Sequence, residues 1–239
     1  MASMKDALEE SFLDRSAWLK YLIFAVPLYF SSVLIVEEAD MKGILAVAIP
    51  TVIFFLGFSL ICTYNVRKGN NFVLPSFNIF KIFWTGLKCT IAVAPFFVVG
   101  YLIAKLIINL ISGYIPEGNF ANIFNTIIYL VFSSFGFTSY ILYSRRFAIF
   151  DAYNIAKIIK YSIDVLIALF VMLILLALID VLIVAPVTYI VWLLVGIPSH
   201  VSVYAWSVIA TLNIAMIGHY LAQLDYEIIP FDENEQKTI

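Results

Sequence analysis

Six apolar runs divide the chain, and each is long enough to decide the solvent in which it lives. They cover Leu19–Val36, Ile44–Tyr64, Trp84–Ile111, Ala121–Ser144, Ile163–Pro186 (apolar residues continuing to Ile197) and Val201–Leu224. Crossing the ~30 Å of a bilayer's hydrocarbon takes roughly 18–20 residues at 1.5 Å per residue. A soluble fold of this length has no interior large enough for all six. Composition agrees: 63% of the 239 residues are hydrophobic and 13% charged, against about 45–50% and about 25% in soluble domains. The mean hydropathy is +1.01. The expected fold class is an all-α integral membrane protein with six transmembrane helices.

The charges between the runs fall on one side. Segments sharing one face carry Lys5, Arg15 and Lys20, then Arg67, Lys68, Lys81 and Lys88, then Arg145, Arg146, Lys157 and Lys160, and finally Lys237; the other face has Lys42 alone. The positive-inside rule makes the first face cytoplasmic, with both termini inside and residues 229–239 an acidic cytoplasmic tail. The expected location is a prokaryotic plasma (inner) membrane. Aromatic residues gather where headgroups are expected, with Trp18, Tyr21, Tyr64, Trp84, Tyr143, Tyr161, Tyr220 and Tyr226 at inner ends and Tyr114, Tyr189, Trp192, Tyr204 and Trp206 at outer ones. The N-terminal "MASMKDALEESFLDRSAWLK" mixes acids and bases and lacks a small-residue cleavage site, so it does not read as a signal peptide. A net charge of −2 offers no basic face for nucleic acid. Cys62 and Cys89 are too few for a disulfide framework or a four-cysteine metal site.

In "NNFVLPSFNIFKIFWTGLKC", Asn78, Lys81, Thr85 and Lys88 recur at steps of three and four, with Phe77, Phe80, Ile82, Phe83 and Trp84 around the rest. The spacing predicts an in-plane helix on the cytoplasmic leaflet that leads into the third crossing, its lysines facing anionic headgroups. Asp151, Asn154, Lys157 and Lys160 repeat the design before the fifth crossing, and "ESFLDRSAWLKYLI" does so more loosely before the first. Headgroup contact is therefore expected from Arg67, Lys68, Lys81, Lys88, Arg145, Arg146, Lys157 and Lys160. Short matches suggest a threefold repeat of helical hairpins: "LKYLI", "LKCTI" and "IKYSI" open the odd crossings. "GFSLICTYNVR" matches "GFTSYILYSRR", and "FNIFKI" matches "YNIAKI". Chance likeness between apolar helices, which use few residue types, is the competing explanation.

Three of these stretches carry a family resemblance. "SFLDRSAWLKYLIFAVPL", "YNVRKGNNFVLPSFNIFKIFWTGLK" and "IGHYLAQLDY" resemble the opening, middle and closing signatures of a bacterial and archaeal membrane protein family, the domain of unknown function numbered four thousand and thirteen in its series. The family's usual acidic pair after Leu-Pro is replaced by Ser76, Phe77 and Asn78, and a common Gly is Ala222. The resemblance spans nearly the whole chain and implies an architecture, with no activity attached.

Two ionisable residues fall within the runs. Lys105 lies seventeen residues beyond Lys88, and Asp180 sixteen beyond Asp164, so both sit ~25 Å from the inner face at helical rise. Insertion of either costs a few kcal/mol, and their equal depth predicts a Lys105–Asp180 ion pair between the third and fifth crossings, a clamp rather than a transport relay. The open alternative is that Lys105 snorkels outward while Asp180 meets water or Tyr189. Asn122, Asn125, Asn213 and Gln223 are expected to tie helices together, and His219 to be hydrogen-bonded or wet. No H-E-x-x-H, G-x-S-x-G or phosphate loop occurs, and neither a cofactor nor a metal is expected. Pro27, Pro50, Pro95 and the Pro186–Pro198 stretch are candidate helix breaks of the kind transporters use. The leading expectation is a non-catalytic scaffold, accessory subunit or lipid-organising component, with a small-solute or lipid transporter or channel between the repeats as the alternative. Its partners would be membrane lipids, anionic on the cytoplasmic side, and a second copy of the chain or another membrane protein.

Overall fold

The computed structural model describes residues 3–37, 40–111, 118–195 and 199–229. Helices account for nearly all of them: α1 (Met4–Glu10), α2 (Ala17–Phe24), α3 (Val26–Val36), α4 (Met41–Arg67), α5 (Ile79–Ile111), α6 (Asn119–Arg146), α7 (Ile149–Ala152), α8 (Ile155–Ile179), a π turn at Asp180–Val184, α9 (Ala185–Val195) and α10 (Ser199–Ile228). No strand occurs among the described residues. Six helical stretches are long and apolar enough to cross a membrane: Ala17–Ile35, Met41–Arg67, Ile79–Ile111, Phe120–Arg146, Ile155–Leu182 and His200–Asp225. The acidic tail from Pro230 onward, Lys237 included, lies outside the described residues, as do Glu38, Ala39 and residues 112–117.

Pro27 explains the junction of α2 and α3. It has no N–H to offer the carbonyl four residues back, so α2 ends and α3 begins with the proline in its first turn. The apolar span runs through the break. Hydroxyls seal the place: the Ser31 and Thr51 hydroxyl oxygens lie 2.8 Å apart and each approaches the Pro27 carbonyl, at 3.1 and 3.2 Å. That knot ties α3 to α4.

The expected in-plane lead before the third crossing is not a separate element. α5 starts at Ile79 and continues unbroken for 33 residues, because nothing between Ile79 and Trp84 interrupts an α-helix. At its start the Asn78 side-chain oxygen accepts the Lys81 backbone N–H at 2.9 Å; Asn154 does the same for Lys157 at 3.1 Å at the start of α8. The "FNIFKI"/"YNIAKI" match is thus a shared asparagine N-cap.

The chain folds into two compact units. Residues 3–87 and 171–223 belong to the first, and residues 88–170 and 224–229 to the second. In the first, Tyr21, Phe24, Phe54, Phe55, Phe58 and Cys62 form a buried core, completed by Val73 and Leu74 from the turn after α4. Phe24 meets Phe58 edge-on at 5.4 Å, and Phe54 meets Phe55 at 5.3 Å. Asn65 holds the turn by donating to the Val73 carbonyl at 3.0 Å. α4 and α5 touch backbone to backbone at Gly57 and Gly86: a Cβ on Gly86 would fall 1.8 Å from the Ile53 carbonyl oxygen. On the α10 side, Thr63 donates to the Gly218 carbonyl at 2.9 Å. In the second unit Gly100 lies against the Phe132 carbonyl of α6, and the Phe97 ring lies under Gly136. Burial gathers in the C-terminal halves of three helices, from Thr51 in α4, Ser134 in α6 and Ser207 in α10.

Between α1 and α2, Asp14 accepts from the Ser16 N–H and hydroxyl at 2.8 and 2.7 Å and pairs with Lys20 at 2.5 Å. Burial pushes its pKa up, but the hydrogen bonds from Lys20 and Ser16 outweigh this and hold the carboxyl below its ordinary value. A lowered carboxyl pKa stabilises the fold above the unfolded value of about 3.9, and that contribution disappears as pH falls through the lowered one. Acidification below about pH 4 is therefore expected to loosen the α1–α2 lead, read by the emission of nearby Trp18. Asp14→Asn should abolish that pH step.

Candidate functional site

Asp180 opens the π turn, and the turn has a chemical cause. Pro186 cannot donate a hydrogen bond and its ring crowds the carbonyl four residues back, so the helix widens by one residue before it. The Ala185 N–H accordingly reaches the Asp180 carbonyl, five positions away. The Pro186–Pro198 stretch, a candidate helix break, is helical as far as Val195 in α9, and residues 196–198 lie outside the described ones. The Asp180 carboxylate takes both its oxygens' hydrogen bonds from one group, the Asn213 side-chain amide of α10, at 3.1 and 3.1 Å. Lys105 is exposed on α5 and belongs to the second unit, whereas Asp180 belongs to the first. Asn213 was legible as a helix-tying amide, but sequence spacing alone does not pair it with Asp180.

The basic residues divide into two kinds. Arg145, expected at lipid headgroups, is buried: its Nε and terminal nitrogen lie 2.8 and 2.7 Å from Asp225 Oδ1, and the latter donates to the Ile229 carbonyl at 2.6 Å. Arg67 is buried as well. Guanidinium groups suit such places because their donors are fixed in a plane that matches carboxylates and carbonyls. Arg146 reaches over the end of α6 to both carboxylate oxygens of Asp151. Lys68, Lys81, Lys88 and Lys160 are exposed and Lys157 is half-buried. The Lys160 ammonium lies 5.0 Å from the Tyr161 ring and that of Lys68 5.9 Å from Tyr64. Lysine stems so placed lie on apolar surroundings with the ammonium turned outward.

A third cluster escaped the sequence reading. Ser3 N–H donates to Gln223 Oε1 at 2.5 Å, Gln223 Nε2 lies 3.2 Å from His219 Nδ1, and His219 Nε2 lies 2.8 Å from Glu10 Oε2. The Ser3 bond orients the amide so that its NH₂ faces Nδ1, which leaves Nε2 as the ring's donor to Glu10. The row closes both ends of α1 onto α10. His219 and Gln223, four apart on one helix face, were the available signal. Glu10, 209 residues away in the chain, had none. Cys62 and Cys89 are free thiols. Among the described residues, no three His, Cys, Asp or Glu side chains are grouped so as to hold a metal ion. Comparison of the chain with protein-family models, curated proteins and solved structures found no match.

Proposed function

We propose that the chain is a non-catalytic multi-pass membrane protein: a scaffold, accessory subunit or lipid-organising component of a prokaryotic plasma membrane, with both termini in the cytoplasm. One observation carries this reading. The interior of the first unit is occupied by interlocking phenylalanines and by glycine-mediated backbone contact between α4 and α5, an arrangement that fixes helices and leaves little room for a moving solute. The exposed lysines 81, 88 and 160 support attraction to anionic lipid, worth ~1 kcal/mol per cation near such a surface. An apolar groove of ≈ 540 Å³ bounded by Pro27, Phe30, Pro50, Phe54 and Phe83 suits acyl chains rather than polar ligands.

The direct test is isolation from native membranes in a mild detergent, with co-purifying proteins and lipids identified by mass spectrometry. Retained anionic lipid should fall several-fold when Lys81, Lys88, Lys157 and Lys160 are changed together to Gln, and no dependence on these charges would remove the lipid-organising reading. Cysteines placed beside Arg67 and Arg145 should react from the same side of sealed vesicles; labelling from opposite sides would end the six-crossing topology. The π turn at Asp180 supports a second reading, a small-solute or lipid transporter. Solute flux through vesicles reconstituted with the purified chain, lost in Asp180→Asn, would favour it over the first.

A further inference from the structure

The arm formed by the π turn and α9 lies beside α10, and between α9 and the first turns of α10 is a shallow, open recess of ≈ 270 Å³ bounded by Ala185, Tyr189, Trp192, Ser202 and Trp206. Tyr189 and Trp192 are one turn apart, with ring centroids 5.6 Å from each other and planes inclined by 39°. Ser202 and Trp206 stand four residues apart on α10, and Asn213 lies seven beyond Trp206; at 100° per residue all three share one helix face within ~40°. The face that supplies one wall of the recess therefore leads, ~10 Å deeper at helical rise, to the Asn213 amide and the Asp180 carboxylate it holds.

Two chemistries thus lie about two helical turns apart along α10. Three electron-rich rings line the recess, and aromatic faces attract cations, alkylated ammonium groups above all, through their quadrupoles. Beneath them stands a carboxylate held, among the described residues, by the Asn213 amide, on a π turn of the kind that often marks functional positions. Charges in surroundings of low dielectric act over such a separation. An interfacial aromatic belt accounts for tyrosine and tryptophan at this level, but not for a carboxylate held by an amide on the α10 face that carries Trp206.

We propose that the cleft between α9 and α10 is a binding site for a small organic ammonium cation, with Tyr189, Trp192 and Trp206 receiving the alkylated head and Asp180 supplying the counter-charge. This site is independent of the scaffold reading above. A free solute and the ammonium headgroup of a phospholipid share this chemistry.

The test uses the whole purified chain in maltoside micelles, titrated calorimetrically at low salt with tetramethylammonium and choline. The neutral isostere of choline, 3,3-dimethylbutanol, serves as the shape control. Both cations should bind at least tenfold more tightly than the alcohol. Trp206→Ala should weaken them about tenfold or more and Trp206→Phe by no more than about threefold, as befits loss or retention of a ring face. Asp180→Asn, which keeps a hydrogen-bonding partner for Asn213, should weaken the cations severalfold and leave the alcohol unchanged. The Phe and Asn variants carry the test if Trp206→Ala does not fold. Equal binding of cation and alcohol, or indifference of cation binding to Asp180→Asn, would overturn the site. Nanodiscs separate the sources: choline phospholipid that competes with tetramethylammonium identifies a headgroup, and absence of competition identifies a soluble solute.

Discussion

Gly86→Ala is expected to unseat α5 from α4. The added carbon would stand 1.8 Å from the Ile53 carbonyl oxygen and 2.9 Å from the Gly57 nitrogen, both backbone atoms that no rotamer change can move. Overpacking a core ordinarily costs ~1–3 kcal/mol, and relief here requires two long helices to part, so a loss at or above about 3 kcal/mol is expected. At this chain length that corresponds to a fall of roughly 6–12 °C in Tm. Gly57→Ala should do the same, since its Cβ would meet the Ile82 carbonyl at 2.0 Å. Gly43→Ala is the control: its near neighbour is the tip of the Asp40 side chain, at 2.8 Å, which can turn aside. Thermal unfolding of the three variants in one detergent decides the matter. Equal Tm values for Gly43→Ala and Gly86→Ala would show that the crossing yields more easily than its geometry implies.

The second large effect belongs to Arg145. Its side chain is 2% exposed and that of Asp225 0%, so removing the Arg145 cation takes a charge-assisted partner from a carboxylate that water cannot reach. Breaking a buried pair from one side costs ~3–5 kcal/mol, and Arg145→Met also deprives the Ile229 carbonyl of its donor. The end of α10 should then become sensitive to protease, with a Tm drop comparable to that of Gly86→Ala. Replacing both partners, as Arg145→Met with Asp225→Leu, should recover much of the loss, because apolar substitutes of similar size carry no desolvation penalty. A double variant no better than Arg145→Met would assign the damage to packing rather than to charge.

That six long helices occur was legible because apolar runs of that length have few alternatives, although α5 and α8 begin at Ile79 and Ile155, ahead of the runs expected from Trp84 and Ile163. The runs predicted at Ile44–Tyr64 and Val201–Leu224 lie within the observed Met41–Arg67 and Ser199–Ile228. What escaped is pairing across distance. Arg145 read as a headgroup residue because its neighbours are basic and aromatic, and nothing local announces that Asp225, 80 residues on, turns it inward. The stripe Asn78–Lys81–Thr85–Lys88 was read as a separate helix from its polarity alone. Helix continuity depends on backbone hydrogen bonds, and amphipathic character does not end a helix where lipid gives way to water. Asp180 was singled out by its cost in hydrocarbon, and the structure adds Asn213 beside it. The π turn is explicable from Pro186 but was not foreseen, since in membrane helices a proline can be absorbed in several ways.

The row Ser3–Gln223–His219–Glu10 joins residues that leave the ribosome far apart in time. At about 5–20 residues per second, Glu10 waits on the order of ten to forty seconds for His219, 209 residues later, to be synthesised. Until then α1 lacks its bonds to α10, and a chain terminated before His219 never acquires them. Closure of this row therefore follows synthesis of α10, and cleavage of stalled nascent chains by an added protease would time it: the N-terminal segment should pass from cut to protected only once residue 223 has cleared the exit tunnel.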